Sequence, residues 1–416
     1  MKNGVKYILI IPDGMGDRPV AKLGGKTPLE AARTPHMDHF AGRGLTGLTR
    51  NIPDGFTPGT DIGCMSVFGY DPRKYFTGRG PLEAAIHGLE LGPRDLAFRC
   101  NLVTTEGKTM RDFSADHISI PEAQVLVEAV DRAAQKHTKG KVRFYAGKGT
   151  GYRHLMVFKN APKTLGDTAC TPPHDIMGKE YAKYLPDKKA GRLLNELMDI
   201  SEDIFRDHPV NRRRNENGKG VASRIWLWGQ GFPPKFPTYY RRFGFRGGVI
   251  TAVDLLKGMA MHAGLDIIRV PGVTGYFDTN YVGKAEYAVN SLRSRDFVAI
   301  HIESTDEAGH IGDVKLKIKA IEDVDRLVLG TLRKALKEFS AYKIMLLPDH
   351  YTCVETRTHS SDAVPFFIYS SEKDSMTGSA TKPGGSAPRK FSEKSAKISK
   401  VYFKEGHRLM DFFIHE

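Results

Sequence analysis

The chain has 416 residues, 40% of them hydrophobic, enough for two domains of ~100–200 residues with packed cores. No stretch reaches the ~18 uninterrupted apolar residues of a membrane helix, which argues against a membrane partner. The formal net charge is +14, but the basic residues are dispersed. Their clusters, at Arg212-Arg213-Arg214 and between Lys382 and Lys400, carry no nucleic-acid motif, so a solvated basic surface or an anionic substrate accounts for them.

In chain order, the apolar run from Val5 to Ile11 is broken by Lys6 and leads into Pro12-Asp13 without a small-residue cleavage site. It fits a first buried strand, Lys6–Ile11, better than a signal segment. Thr27-Pro28-Leu29-Glu30 has the form of a capping box, and Thr34-Pro35 predicts a second helix begun the same way. Gly59-Thr60-Asp61 opens an apolar helical stretch that closes at Gly69, which places Thr60 at or beside a helix N-terminus. From about Lys74 to Pro234 the chain is more polar, with Pro172-Pro173 and the hydrophilic run Asn211–Gly220, and reads as an inserted domain.

Beyond it, strands are expected at Gly248–Thr251, Phe297–Glu303, Lys343–Leu347 and Ala363–Tyr369. Helices are expected through Leu255–Ala263, over Val314–Leu336 and from Ser392 onward. Ser371–Lys390, rich in Gly, Pro, Ser and Lys, reads as a surface loop. The fold class is therefore α/β: a parallel sheet with helices on both faces, built from 1–74 plus 235–416, and a smaller α+β domain inserted at 75–234. The four cysteines, Cys64, Cys100, Cys170 and Cys353, form no C-x-x-C pair and fit a reducing, cytoplasmic compartment.

Candidate chemistry gathers where an open α/β sheet binds ligands, at the carboxyl ends of strands. Asp13 ends the first strand. Asp306 and His310 follow the Phe297–Glu303 strand at the i, i+4 spacing that puts both on one helical face. Asp349 and His350 end the Lys343–Leu347 strand, and His359 follows shortly after. Each alone is an ordinary turn or surface pair. Jointly they make a mixed Asp/His set suited to divalent cations, and a pair of such ions could hold a phosphoryl group in transfer. Thr60 would add a hydroxyl at a helix N-terminus, where free N–H groups receive phosphate.

Several longer stretches carry a resemblance: IPDGMGD (Ile11–Asp17), TPLEAARTPHMD (Thr27–Asp38), TGRGPLEAA (Thr77–Ala85), FRCNLVT (Phe98–Thr104), GYRHLMV (Gly151–Val157), DEAGHIGD (Asp306–Asp313), PDH (Pro348–His350) and THSSDAVPF (Thr358–Phe366). Together with PGTD and GYDP between Pro58 and Pro72, they resemble the archaeal-type cofactor-independent phosphoglycerate mutases, metalloenzymes of the alkaline-phosphatase superfamily. The resemblance implies an alkaline-phosphatase-like core holding two divalent ions, Mn²⁺ as first choice, with Zn²⁺, Co²⁺ or Mg²⁺ as alternatives. It implies Asp306, His310 and His359 on one ion, and Asp13, Asp349, His350 and the nucleophile Thr60 on the other. Lys257 would neutralise the transferring phosphoryl group. Arg79, Arg99, Asn101, Arg153 and His154 would bind a small phosphorylated metabolite.

The implied reaction is interconversion of 3-phosphoglycerate and 2-phosphoglycerate through a phosphothreonine. Thr60 stands where the family usually has serine, and Cys64 where it usually has asparagine. WLWGQG (Trp226–Gly231), PPHDI (Pro172–Ile176) and TGYFDTNY (Thr274–Tyr281) resemble a bacterial subgroup proposed to act as homoserine kinases. The alternatives are therefore an ATP-dependent kinase on the same metals, although Gly147-Lys148-Gly149-Thr150 does not fit a nucleotide-binding loop, or a metal-dependent phosphatase. The oligomeric state stays open.

Overall fold

The Lys6–Pro12 strand is apolar from Tyr7 to Ile11 because both its faces are covered, the pattern of a central parallel strand. It lies inside an eight-stranded sheet whose order is Tyr402–Phe403, Leu45–Thr49, Val364–Ser370, Tyr342–Leu346, Lys6–Pro12, Phe297–Ile302, Gly247–Ile250 and Asp266–Ile267. The computed structural model describes residues 4–147, 149–373 and 390–416. Most of the expected Ser371–Lys390 loop, and Lys148, lie outside the described residues.

The chain divides into two compact units, one formed by Met1–Phe76 with Phe236–Glu416 and the other by Thr77–Lys235. In the first, the sheet is mixed rather than wholly parallel. Lys6–Pro12 pairs in parallel with both Phe297–Ile302 and Tyr342–Leu346, but Val364–Ser370 runs antiparallel to Tyr342–Leu346. The reason is the connection: the chain between those two strands forms the Tyr351–Cys353/Thr358–Ser360 hairpin and no crossover helix, which a parallel neighbour would need. The core of this unit is the apolar surface of Ile8, Ile10, Val298, Ile300, Ile344 and Leu346 packed against helical Phe40, Val324 and Leu332.

Two helical expectations are revised. Val314–Leu336 is helical, but as Val314–Asp323 and Gly330–Ala335 joined by a wider, π-helical turn at Val324–Leu329. After Ser392 the chain forms a short helix, Glu393–Ile398, then the edge strand Tyr402–Phe403, then a helix over Arg408–His415.

In the Thr77–Lys235 unit, Leu96–Glu106 pairs antiparallel with Thr109–Asp112, Arg153–Phe158 and Arg224–Gly231, and Val142–Tyr145 pairs with Arg153–Phe158. The helices Ile120–Thr138 and Arg192–Arg206 cover this sheet, and Phe98, Leu126, Leu197, Phe205 and Trp226 form a core of their own.

Candidate metal centre

Three neighbouring strands deliver the acidic and imidazole groups. Asp13 follows Lys6–Pro12, and its backbone N–H donates to the Ile302 carbonyl at 2.9 Å. Asp349 and His350 follow Tyr342–Leu346. Asp306 and His310 stand on the helix Ser304–Ile311 that follows Phe297–Ile302. His359 comes from the hairpin, where it pairs across from Thr352. Thr60 is the first residue of the helix Thr60–Val67, with Gly59 as its N-cap. The strand-end logic read in the sequence thus converges on one place, because adjacent parallel strands end side by side.

Two sets of ligand-type atoms lie within 4.8 Å of one another: Asp13, Asp349 and His350, and Asp306, His350 and His359. His350 belongs to both. Its Nε2 stands 3.4 Å from Asp13 Oδ1 and 3.3 Å from Asp349 Oδ2. His310 Nε2 lies 3.2 Å from Asp306 Oδ2 and 3.0 Å from His359 Nε2, so it joins the second set through those two residues. Thr60 Oγ1 is 3.3 Å from Asp13 Oδ2 and 3.3 Å from His350 Nε2.

The electrostatics call for a cation. Burial raises the Asp13 carboxyl well above its ordinary range, and Asp349, Asp306 and Glu303 add to the rise. Glu303 is pushed up to about 8 by burial and by Asp306 and Glu307. Burial opposes ionisation of Asp306 as well, but hydrogen bonds with His310 and His359 outweigh it and hold its carboxyl well down. His310 is correspondingly raised to about 9, chiefly by its hydrogen bond to Asp306. Like charges ~4 Å apart repel by ~4 kcal/mol at an effective dielectric of ~20. Asp13 Oδ1, fully buried, has no hydrogen-bond partner among the described residues. An orphaned carboxylate oxygen beside a neutral-leaning imidazole is what a divalent ion would satisfy, and the O/N donor set fits such ions.

A family model described as 2,3-bisphosphoglycerate-independent phosphoglycerate mutase matches residues 41–211. A Geobacter sulfurreducens protein named as a probable enzyme of that kind is 45% identical over 414 residues, 99% of this chain and 100% of its own. The chain belongs to the 2,3-bisphosphoglycerate-independent phosphoglycerate mutase family. A Methanosarcina mazei relative of the same name is 48% identical over 371 residues, covering 89% of this chain and 91% of its own. A solved Pyrococcus horikoshii protein superposes with a TM-score of 0.78 at 31% identity, over 99% of this chain and 96% of that one. The cofactor-independent phosphoglycerate mutase of Thermoplasma acidophilum gives 0.66 at 26% identity, over 99% of each chain. Membership of this phosphoglycerate mutase family carries the use of divalent metal with it.

The other candidate residues of this mutase-family chain fall in two places. Lys257 lies on the helix Asp254–His262, which packs against the Thr60 helix, and its Nζ pairs with Asp254 Oδ1 at 2.8 Å rather than with the Asp/His cluster. Arg99, Asn101, Arg153 and His154 sit on the paired strands Leu96–Glu106 and Arg153–Phe158 of the Thr77–Lys235 unit, where Asn101 is opposite Arg153. Arg99 is buried; its Nη2 pairs with Glu83 at 3.0 Å, and its guanidinium lies 4.2 Å from the Trp228 ring centre. Burial, with Arg153 and Arg79 nearby, lowers it to about 10 against the opposing pull of Glu83. Asn101 accepts from Trp228 Nε1 at 3.0 Å. His154 is buried; its Nδ1 accepts from the Gly147 N–H at 3.0 Å.

Three contributors, Thr352, His301 and Thr251, have no counterpart in the sequence reading. Thr352 Oγ1 bonds both Asp306 Oδ1 and His350 Nδ1. His301 bonds Asp13, and Thr251 bonds His301. His174 packs edge-on against Trp228 with ring centres 5.2 Å apart, so PPHDI and WLWGQG meet beside Arg99. His301 did carry a signal: an imidazole in the wholly buried strand Phe297–Ile302 must find a polar partner.

Proposed function

We propose that this chain interconverts 3-phosphoglycerate and 2-phosphoglycerate by way of a phosphothreonine at Thr60. One observation carries the reading: Thr60 Oγ1 faces Asp13 Oδ2 and His350 Nε2, each at 3.3 Å, inside the Asp/His cluster of a chain that belongs to the mutase family. Asp13, Asp349, His350 and Thr60 would hold one divalent ion, and Asp306, His310 and His359 the other, with His350 within reach of both. Mn²⁺ is our choice. Such ions would neutralise the phosphoryl oxygens and favour the alkoxide of Thr60.

Asp13 Oδ2 accepts the Thr60 hydroxyl and turns its lone pair toward the incoming phosphorus. Thr60 Oγ1 bonds to phosphorus as the ester oxygen at C3 leaves, and the hydroxyl proton goes to that oxygen. The C2 hydroxyl then attacks the phosphothreonine, and its proton returns to Thr60 Oγ1. Arg79, Arg99 and Arg153 suit the substrate's anionic groups because a guanidinium fork matches carboxylate and phosphate. Asn101 and His154 keep that face in shape, through Trp228 and the Gly147 amide. Lys257 would reach the phosphoryl group by leaving Asp254. We read the protein as acting in the cytoplasm.

The names carried by the relatives favour the mutase over the kinase and phosphatase alternatives. The test is Mn²⁺-loaded protein with 3-phosphoglycerate alone, coupled to enolase. Turnover without ATP or bisphosphoglycerate, abolished by a chelator, supports the proposal. Release of inorganic phosphate would point to a phosphatase, and ADP formed from ATP and homoserine to a kinase.

A further inference from the structure

We propose that His301, oriented by Thr251, is a positioning residue that commits Asp13 to metal binding through a single oxygen, Oδ1. The inference rests on the reading of Asp13 as a metal ligand and adds how the carboxylate is aimed.

His301 is 1% exposed and carries a hydrogen bond at each ring nitrogen, Nε2 to Asp13 Oδ2 at 2.9 Å and Nδ1 to Thr251 Oγ1 at 3.1 Å. The Asp13 end sets the direction of both: an ionised, metal-binding carboxylate can only accept, so His301 Nε2 carries the proton and donates it to Asp13 Oδ2. Nδ1 of the neutral ring is then the acceptor and takes the Thr251 hydroxyl proton, while the Thr251 oxygen accepts from the Val253 N–H at 3.0 Å. The backbone of His301 is pinned as well, because the buried Lys284 donates from Nζ to its carbonyl at 2.9 Å.

The consequence falls on the other oxygen. Asp13 Oδ2 takes His301 and Thr60, while Oδ1 stays buried without a hydrogen-bond partner among the described residues, 3.4 Å from His350 Nε2. Asp349 is divided in the same way. Its Oδ1 accepts from the Gly14 and His350 N–H groups at 3.1 and 3.0 Å, and its Oδ2 faces His350 Nε2 at 3.3 Å. Each carboxylate thus gives one oxygen wholly to N–H and O–H donors of the protein and presents the other beside His350, although Asp349 Oδ2 also accepts from the Cys64 thiol at 3.6 Å. For Asp349 the backbone does the holding; for Asp13 it is an imidazole that could be exchanged for another side chain.

The test measures Mn²⁺ affinity on chelator-stripped protein, by the electron paramagnetic resonance signal of free Mn²⁺. Thr251→Val removes the hydroxyl and keeps the shape, and Thr251→Ser restores it. Thr251→Val should weaken one of the Mn²⁺ sites by roughly 10–100-fold, Thr251→Ser should recover most of that loss, and His301→Ala should match or exceed it. His301→Gln, whose amide can donate in place of Nε2, should fall between. A lost fold would lower both sites together, and recovery in Thr251→Ser separates that case from a positioning role. Wild-type affinity in Thr251→Val and His301→Gln, while Asp13→Asn loses one Mn²⁺, would overturn the inference. Full binding in Asp13→Asn as well would overturn the ligand reading beneath it.

Discussion

The carboxylates of Asp13 and Asp349 flank the same nitrogen, His350 Nε2, at 3.4 and 3.3 Å. Both acids are buried, and Asp349 is among the neighbours that drive the Asp13 carboxyl upward after burial itself. On the proposed ligand assignment, a divalent ion held by these two acids would remove a repulsion that folding otherwise has to overcome. Chelation should therefore lower the melting temperature, and added Mn²⁺ should restore it. At free metal 100-fold above Kd the gain is about 2.7 kcal/mol per site. Calorimetry with and without chelator reads this directly; superimposable melting curves would contradict it.

Lys317 is the buried counterpart on the other side of the hairpin. Its Nζ bonds Asp17 Oδ2 at 2.9 Å and the Gly16 carbonyl at 3.2 Å, and both charged side chains are essentially inaccessible. Lys317→Met would leave the buried Asp17 carboxylate without its cation, with the N–H groups of Arg18 and Val354 as its remaining donors among the described residues. The expected loss is roughly 3–5 kcal/mol in urea unfolding. Adding Asp17→Asn to Lys317→Met should return part of that loss, since no unpaired charge then remains. A loss unchanged by the second substitution would refute this account.

Arg99 is the buried member of the arginine face, pointed by Glu83 and stacked on Trp228. Arg99→Lys keeps a positive charge but gives up the planar fork. It should raise KM for phosphoglycerate about tenfold, ~1.4 kcal/mol, with a smaller change in kcat. Steady-state kinetics on the purified variant decide the matter, and an unchanged KM would remove Arg99 from the binding face.

His154 gives a pH prediction. Burial lowers its pKa to about 4 from an ordinary 6.5. The unfolded chain therefore binds more protons than the folded one between those values. The neutral, buried imidazole is no handicap above about pH 6.5, and stability falls as the pH drops toward 4, by up to about 3 kcal/mol from this group. His154→Asn, whose amide oxygen can accept from Gly147 without titrating, should flatten that part of the curve of unfolding free energy against pH. The same acid slope in both proteins would assign it to other groups.

What the sequence made legible was local. The capping box at Thr27 and Glu30 is present, with Thr27 Oγ1 accepting from the Glu30 N–H at 3.1 Å and Glu30 Oε2 accepting from the Thr27 N–H at 3.0 Å. Thr34, read in the same way, does not cap its helix. The N–H groups of His36 and Met37 go instead to the Asp325 carboxylate, supplied from 289 and 288 residues away. That partner sits on the π-helical turn at Val324–Leu329, which the apolar periodicity passes over because one widened turn shifts the pattern very little. Strand-end residues such as Asp13 and Asp349 were legible because the α/β layout puts ligands there. That His301 needs a polar partner was legible, but that the partners are Asp13 and Thr251 was not, because a partner on the next strand depends on register, and the pairing of Ile11 with His301 is set by the sheet as a whole. The reversal of Val364–Ser370 was equally hidden: its apolar run has the same look in either direction.

The most direct test of the central claim is phosphopeptide mapping after rapid acid quench of Mn²⁺-loaded protein turning over 3-phosphoglycerate, with Thr60→Ala alongside. Phosphate is expected on the peptide that carries Thr60 and on no such peptide in Thr60→Ala, which should also lose 2-phosphoglycerate formation. Normal 2-phosphoglycerate formation by Thr60→Ala, or phosphate accumulating on another residue at the turnover rate, would contradict it.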